Sequence, residues 1–287
     1  MRVDCDKVKV MITVLGLRRE LMKIANPQKA KLLQGFFKSG KGEYGEGDVF
    51  LGIMVPQSRE IAKRYYDLNI KQLQELIASK YHEERLIALF ILINKYNTTN
   101  HKKICFHFYM KNMKYINNWD LVDLSAPNIV GRHLFENKFF ARQSRISDDA
   151  QLLSGRGPVE SNPSRQGSLT VHAVGSPSSF ATPIEFLEEL AKSENVWERR
   201  IVVLATFWFI KNNRFDKSLK IAGLLLKDKH DLIHKAVGWM LREIGKRDLG
   251  AEIEFLNKHC QKMPRTMLRY AIERFPEKLR KIYLQKI

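Results

Sequence analysis

The chain has 287 residues, 44% of them hydrophobic, with 49 Lys and Arg against 31 Asp and Glu, a formal net charge of +18. A soluble globular protein with that uncompensated field has a polyanion as its natural partner. The longest apolar runs, 86–93 and 201–210, fall well short of the roughly 18 residues of a spanning helix, so no integral membrane segment is expected. Met1 to Lys9 mixes Asp4, Asp6 and Lys7 and lacks the apolar core of a secretory signal, so the protein is expected inside the cell, in the cytoplasm if the source is bacterial. Cys5, Cys105 and Cys260 are too few and too scattered for a disulfide framework and fit a reducing compartment. Cys105 and His107 do not make a nucleophile and base, because side chains two apart do not face each other on a helix.

Apolar residues recur at helical spacing along most of the chain, and two-residue alternation is rare, which predicts an all-α fold. Early in the chain, Gly40-Lys41-Gly42-Glu43-Tyr44-Gly45 matches GxGxxG literally. With no buried strand before it and no helix clearly opening after it, it is expected to be a loop and not a dinucleotide site. Next, His82-Glu83-Glu84-Arg85-Leu86-Ile87-Ala88-Leu89 aligns with the later Trp197-Glu198-Arg199-Arg200-Ile201-Val202-Val203-Leu204, each a charged start feeding an apolar helix. A helix expected over 233–247 opens its apolar face about 35 residues after the Arg200 helix, and 267–275 follows at a comparable interval. A period of that size, in paired helices, predicts an α-solenoid of HEAT-like helical repeats.

From about 139 to 183 the texture turns to Ser, Gly and Pro, as in Ser154-Gly155-Arg156-Gly157-Pro158 and Ser176-Pro177-Ser178-Ser179. This composition predicts a disordered or loosely packed insertion. Residues 1–138 and 184–287 then read as the N-terminal and C-terminal parts of one helical-repeat array. With the insertion removed, Arg85 and Arg200 stand roughly two repeat periods apart.

Two constellations suggest chemistry. Trp119 and Asp123 in Asn117-Asn118-Trp119-Asp120-Leu121-Val122-Asp123 share one helical face, placing an aromatic surface beside a carboxylate. Such a carboxylate opposes DNA binding unless it has a task, and stabilising an oxocarbenium-like transition state while orienting water is one. A helix cap or an ion pair with an arginine is the structural alternative. On the second helix, Lys235, Trp239, Arg242 and Lys246 form one stripe, with Ile233, Val237, Met240, Leu241 and Ile244 on the other side. Cations around an aromatic plane suit a sugar–phosphate backbone, although Trp239 packing into a neighbouring repeat explains the pattern equally well. His230 and His234 have the spacing of helical metal ligands, but no further His or Cys completes a site, and no metal is expected.

Gly45-Glu46-Gly47-Asp48-Val49-Phe50-Leu51-Gly52-Ile53 with Val55-Pro56 and Arg59 heads a series of ordered landmarks. It continues through the Trp119–Asp123 motif, Trp197-Glu198-Arg199-Arg200 and Lys235-Ala236-Val237-Gly238-Trp239-Met240-Leu241-Arg242-Glu243 to Met263-Pro264-Arg265-Thr266-Met267-Leu268-Arg269-Tyr270. In these landmarks the chain resembles the AlkD-like DNA glycosylases over residues 15–137 and 184–285.

The resemblance implies HEAT-like repeats around duplex DNA and excision of positively charged N3- and N7-alkylpurines, with no metal or other cofactor. By motif position it makes Asp123 the catalytic aspartate, and Trp119 and Trp239 the tryptophans that pack around the lesion-bearing deoxyribose. It makes Arg200 the arginine holding the DNA backbone, with Arg59, Arg242 and Lys246 as further backbone contacts, and Lys235 joins them as a DNA-binding residue from its place on the stripe. The expected activity is that of a monofunctional alkylpurine glycosylase working as a monomer. The competing reading is a non-catalytic repeat module that binds damaged or branched DNA. The insertion departs from the family's compact spacing between the Asp123 and Arg200 helices.

Overall fold

The computed structural model describes residues 12–98, 100–136 and 183–285. Among them the fold is all-α, as expected: there is no β-strand, and a single isolated bridge joins Val49 to Tyr81. No helix among the described residues is long and apolar enough to cross a membrane. The chain forms two compact units, Met1–Ile129 and Val130–Ile287. The stretch 139–183 lies, but for Pro183, outside the described residues, as does Cys5.

The first unit contains α1 (Val14–Ile24), α2 (Pro27–Phe36), α3 (Val55–Arg64), α4 (Ile70–Ile77), α5 (His82–Thr98), α6 (Lys102–Lys111) and α7 (Trp119–Ser125). Local chemistry sets the starts. The Asn26 carboxamide accepts from the Lys29 amide at 3.0 Å ahead of Pro27, and Asn69 and Gln72 form a reciprocal capping box on α4. α5 is the core helix, buried continuously from His82 to Leu92 and packed against α3, α4, α6 and α7.

The second unit contains α8 (Arg132–Glu136), α9 (Pro183–Ala191), α10 (Val196–Lys211), α11 (Asp216–Leu224), α12 (Asp231–Gly245), α13 (Leu249–His259), α14 (Arg265–Ala271) and α15 (Glu277–Gln285). Here α10 is buried from Arg200 to Thr206 and packs on α8, α9, α11 and α12. In turn α12 packs on α11, α13 and α14. Within each unit helices thus touch mainly those one or two places away along the chain, the contact pattern of helical repeats. The aligned segments His82–Leu89 and Trp197–Leu204 occupy equivalent places, each opening the core helix of its unit.

The helix expected over 233–247 runs over Asp231–Gly245, because the His230 ring accepts from the Leu232 amide at 3.2 Å and caps it early. The helix expected over 267–275 is an α-helix only to Ala271 and tightens into a 3₁₀ turn, Ile272–Arg274, before Pro276. The Gly40–Gly45 stretch is a turn-rich loop whose amides are already used: Gly40 donates to Glu43 at 2.9 Å and Gly42 to Glu46 at 2.8 Å.

Gly238 lets α12 and α14 approach. A β-carbon there would collide with the Met267 carbonyl oxygen and lie 2.5 Å from the Tyr270 β-carbon. Gly238→Ala is therefore expected to destabilise the protein by about 1–3 kcal/mol despite the better helix propensity of alanine, read as a lower midpoint in urea unfolding.

Candidate nucleic-acid site

In the first unit the site is built on α7, whose position is fixed by a buried charge network. Asn118, fully buried, caps the helix by accepting from the Trp119 amide at 2.8 Å and donates its other end to Asp48 Oδ2 at 3.1 Å. The Asp48 carboxylate, 5% exposed, also meets Arg85 at 2.5 Å and His82 Nδ1 at 3.1 Å. The other ring nitrogen of His82 lies 2.7 Å from Asp120 Oδ2, in the first turn of α7.

Burial works against a charge on His82, but the Asp120 carboxylate and hydrogen bonds to Asp120 and Asp48 outweigh it and raise the imidazole to about 9. At neutral pH the ring is an imidazolium donating from both nitrogens. Burial also works against the Asp48 charge, yet bonding to His82, the Arg85 charge and the Asn118 amide hold its carboxyl below the usual range. Two cations and two anions are therefore buried together, with charges that balance.

An aromatic tier grows from this network. Phe50 stacks on His82 at 4.6 Å and on Phe37 at 5.2 Å; Phe37 in turn stacks on Trp119 at 5.1 Å and 25°. The exposed Phe36 meets Trp119 edge-on at 5.8 Å. Trp119 is thus half-buried and held in orientation from one side. Of the two carboxylates on α7, Asp120 is committed to His82. Asp123, half-buried and one helical turn beyond Trp119, lies close enough to Tyr109 to add to the effect of burial in raising that phenol. Tyr109 itself bonds the Ser125 hydroxyl at 3.0 Å.

The Asp48–Ile53 segment that carries this network is pinned to α5. Glu83, 1% exposed, accepts from the amides of Leu51, Gly52 and Ile53 at 2.9–3.2 Å. Gly52 has φ +81° and packs against the Asn26 carbonyl, a place no side chain could occupy. Arg59, exposed on α3, lies with its guanidinium 4.6 Å from the centre of the buried Phe90 ring.

In the second unit the α12 stripe exists as read. Ile233, Val237, Met240, Leu241 and Ile244 are buried, while Lys235, Trp239 and Arg242 are half-buried and Lys246 is exposed. Each polar member already holds an acid. Lys235 pairs with Asp231 at 2.6 Å, Arg242 with Glu273, and Lys246 with Glu243 at 2.6 Å. The Trp239 indole donates to the same Glu243 oxygen at 3.1 Å, so this carboxylate fixes the ring plane and a neighbouring cation together.

Arg200 is placed otherwise than a solvent-facing clamp: it is 5% exposed and donates to the Leu232 carbonyl at the start of α12. Its neighbour Arg199 takes Asp228 at 2.6 Å. His230 and His234 are engaged with the backbone, His230 accepting from Leu232 and His234 donating to the Asp228 carbonyl at 2.5 Å. Cys105 is buried, with its thiol pushed up to about 11 by that burial.

The family model described as DNA alkylation repair enzyme matches residues 17–155 and 168–275, well over half of the sequence. The chain belongs to this family. A solved structure described as a predicted DNA alkylation repair enzyme from Enterococcus faecalis superposes with a TM-score of 0.58 at 14% identity, over 88% of this chain and 97% of that one. The structure of AlkD2 from Streptococcus mutans gives 0.45 at 15% identity, over 89% and 99%. No curated protein matches. The first likeness is one of fold, and it agrees with the helical-repeat packing within each unit.

The residues that the sequence did not single out are those holding this DNA alkylation repair enzyme's α7: Asp48, His82, Arg85, Asn118 and Asp120. Because the His82 pKa is raised on folding, its contribution to stability is full below its ordinary value of 6.5 and is lost as pH rises through about 9. Wild-type protein is expected to lose thermal midpoint over that window relative to His82→Gln, which lacks the titrating group. Parallel pH profiles for the two proteins would show that His82 is not the buried cation.

Proposed function

We propose that this DNA alkylation repair enzyme is a monofunctional glycosylase that hydrolyses the N-glycosidic bond of positively charged N3- and N7-alkylpurines in duplex DNA. The observation that carries this reading is the placement of Trp119 and Asp123 one turn apart on α7, in a protein of +18 net charge belonging to a DNA alkylation repair family. A carboxylate in the path of a polyanion opposes binding, and its retention there is explained by chemistry.

An alkylpurine carrying a positive charge leaves as a neutral base. As the C1′–N bond breaks, its electron pair goes to the purine and the deoxyribose acquires oxocarbenium character. Asp123 stabilises that charge and orients a water whose oxygen bonds to C1′; the water's proton passes to the carboxylate or to solvent. No general acid is needed, because the leaving group needs no proton. The Trp119 face adds a cation–π contribution to the same charge. Asp120, neutralised by His82⁺, is unsuited to the task, which separates the roles of two carboxylates on one helix.

In the second unit we assign Trp239 to the sugar-facing surface, with Lys235, Arg242 and Lys246 on the phosphates, and Arg59 to the phosphates in the first unit. The Asp231 carboxylate now paired with Lys235 is easily displaced, since both side chains are exposed to solvent and such pairs contribute only about 0–1 kcal/mol. Arg200 serves this surface as we read it by holding α10 to the start of the Trp239 helix. The protein acts as a monomer inside the cell and without a cofactor.

The test is base release from duplex DNA carrying a single N7-methylguanine. Wild-type protein is expected to exceed the spontaneous rate, and Asp123→Asn to bind the same DNA while releasing base at least about a hundredfold more slowly, the loss of about 2.7 kcal/mol typical of one transition-state electrostatic contact. Tight binding without release by either protein, on N3-methyladenine DNA as well, would place the chain among non-catalytic DNA-binding repeat modules.

A further inference from the structure

Beyond the residues of the α12 stripe, the second unit carries a run of aromatic rings and cations. The half-buried Phe207 ring lies 6.0 Å from Trp239. Lys211, exposed at the end of α10, sits 4.6 Å from the Phe207 ring centre and 5.5 Å from that of Trp208. On the far side, the Arg132 guanidinium lies 5.2 Å from the Trp208 ring and is paired with Glu136 at 2.5 Å, an acid that a phosphate would have to displace. The sequence Arg132–Trp208–Lys211–Phe207–Trp239 is thus continuous, each member in contact range of the next, and Glu243 extends it to Lys246.

A core tryptophan is normally covered by apolar neighbours, as Trp197 is at 6% exposure. Trp208 and Phe207 stay half-open, and Lys211, three and four residues further on, straddles the two rings. Rings that present an apolar face between fixed positive charges match a chain of alternating deoxyribose and phosphate, in which apolar sugar and anion repeat. An acidic protein surface would meet the cations but leave the ring faces wet.

We infer that this ridge, Arg132, Trp208, Lys211 and Phe207, is a DNA-backbone-binding surface that continues the Trp239 stripe along the strand. The inference rests on the reading of the chain as a DNA-binding enzyme. It does not depend on which base is excised or on whether excision occurs. Trp208 and Phe207 supply sugar contacts, and Lys211 and Arg132 neutralise the phosphates flanking them.

The experiment is fluorescence anisotropy of a short labelled undamaged duplex titrated with full-length wild type, Lys211→Gln and Trp208→Leu across a salt series, with circular dichroism melts confirming that each variant is folded. Lys211→Gln, an exposed change that leaves the fold intact, is expected to flatten the slope of log K against log salt by about 0.9, one phosphate contact. Trp208→Leu is expected to weaken binding by about five- to tenfold with the slope unchanged, as for loss of an aromatic contact. Folded variants that both keep wild-type affinity and slope would overturn the ridge and leave these cations as covers for the rings. Absence of base release by wild type, with both variant losses observed, would sink the glycosylase reading and uphold the ridge.

Discussion

The first unit depends on four charges buried at one end of its core helix. Asp48, His82 and Arg85 are each no more than 5% exposed, and Asp120 is nearly covered. Removing such groups from water costs several kcal/mol per ion, so the cluster is tolerable only because its charges balance and most of its hydrogen-bonding atoms find partners, Arg85 Nε being left over. His82 is the member whose charge depends on its partners. Without the proton, one ring nitrogen would face a carboxylate oxygen as acceptor to acceptor, and the cluster would carry a net negative charge in a dry interior. The two aspartates thus set the protonation of the histidine, and the protonated histidine sets the distance between the Asp48 segment and α7.

That distance matters because α7 is short. A helix of seven residues has little stability of its own and takes its orientation from what grips its first turn. Here the grip is threefold: Asn118 on the backbone, Asp120 on His82, and Trp119 on Phe37. Each anchor leads back to the segment that Glu83 and Gly52 press onto α5. Asp123 follows the last anchored residue by three positions on the same short helix, so its place is set through the network.

How much of this was legible follows from which signals are local. Helical periodicity exposed the all-α class, the stripe on α12 and the pairing of the two core helices, because each is written within a few turns. The shared face of Trp119 and Asp123 was readable for the same reason. The network was not: Asp48 and His82 are 34 residues apart, Asp48 and Asn118 are 70 apart, and no spacing rule connects a loop aspartate to a helix start. The burial of Arg200 was not legible either, for a related reason. A charged opening to an apolar helix normally signals a solvated end, yet in both core helices the arginine at the fourth aligned position, Arg85 or Arg200, is buried. The odd feature that could have warned of this is the length of the apolar run behind each, too continuous to leave a wet face.

The two core helices then differ in what meets that buried arginine. Arg85 meets a carboxylate, which ties it into a charge cluster; Arg200 meets the Leu232 carbonyl, which ties it to the next helix. The difference suits the surfaces that each core helix supports. Beside α7 the buried cluster balances its charges and supplies rigidity without adding net positive charge. Beside α12, whose outer stripe carries Lys235, Arg242 and Lys246, the Arg200 guanidinium donates to the backbone at the start of the helix. One helical template thus carries a buried arginine at the same aligned position in both units, tied to a loop carboxylate in the first and to the start of the next long helix in the second.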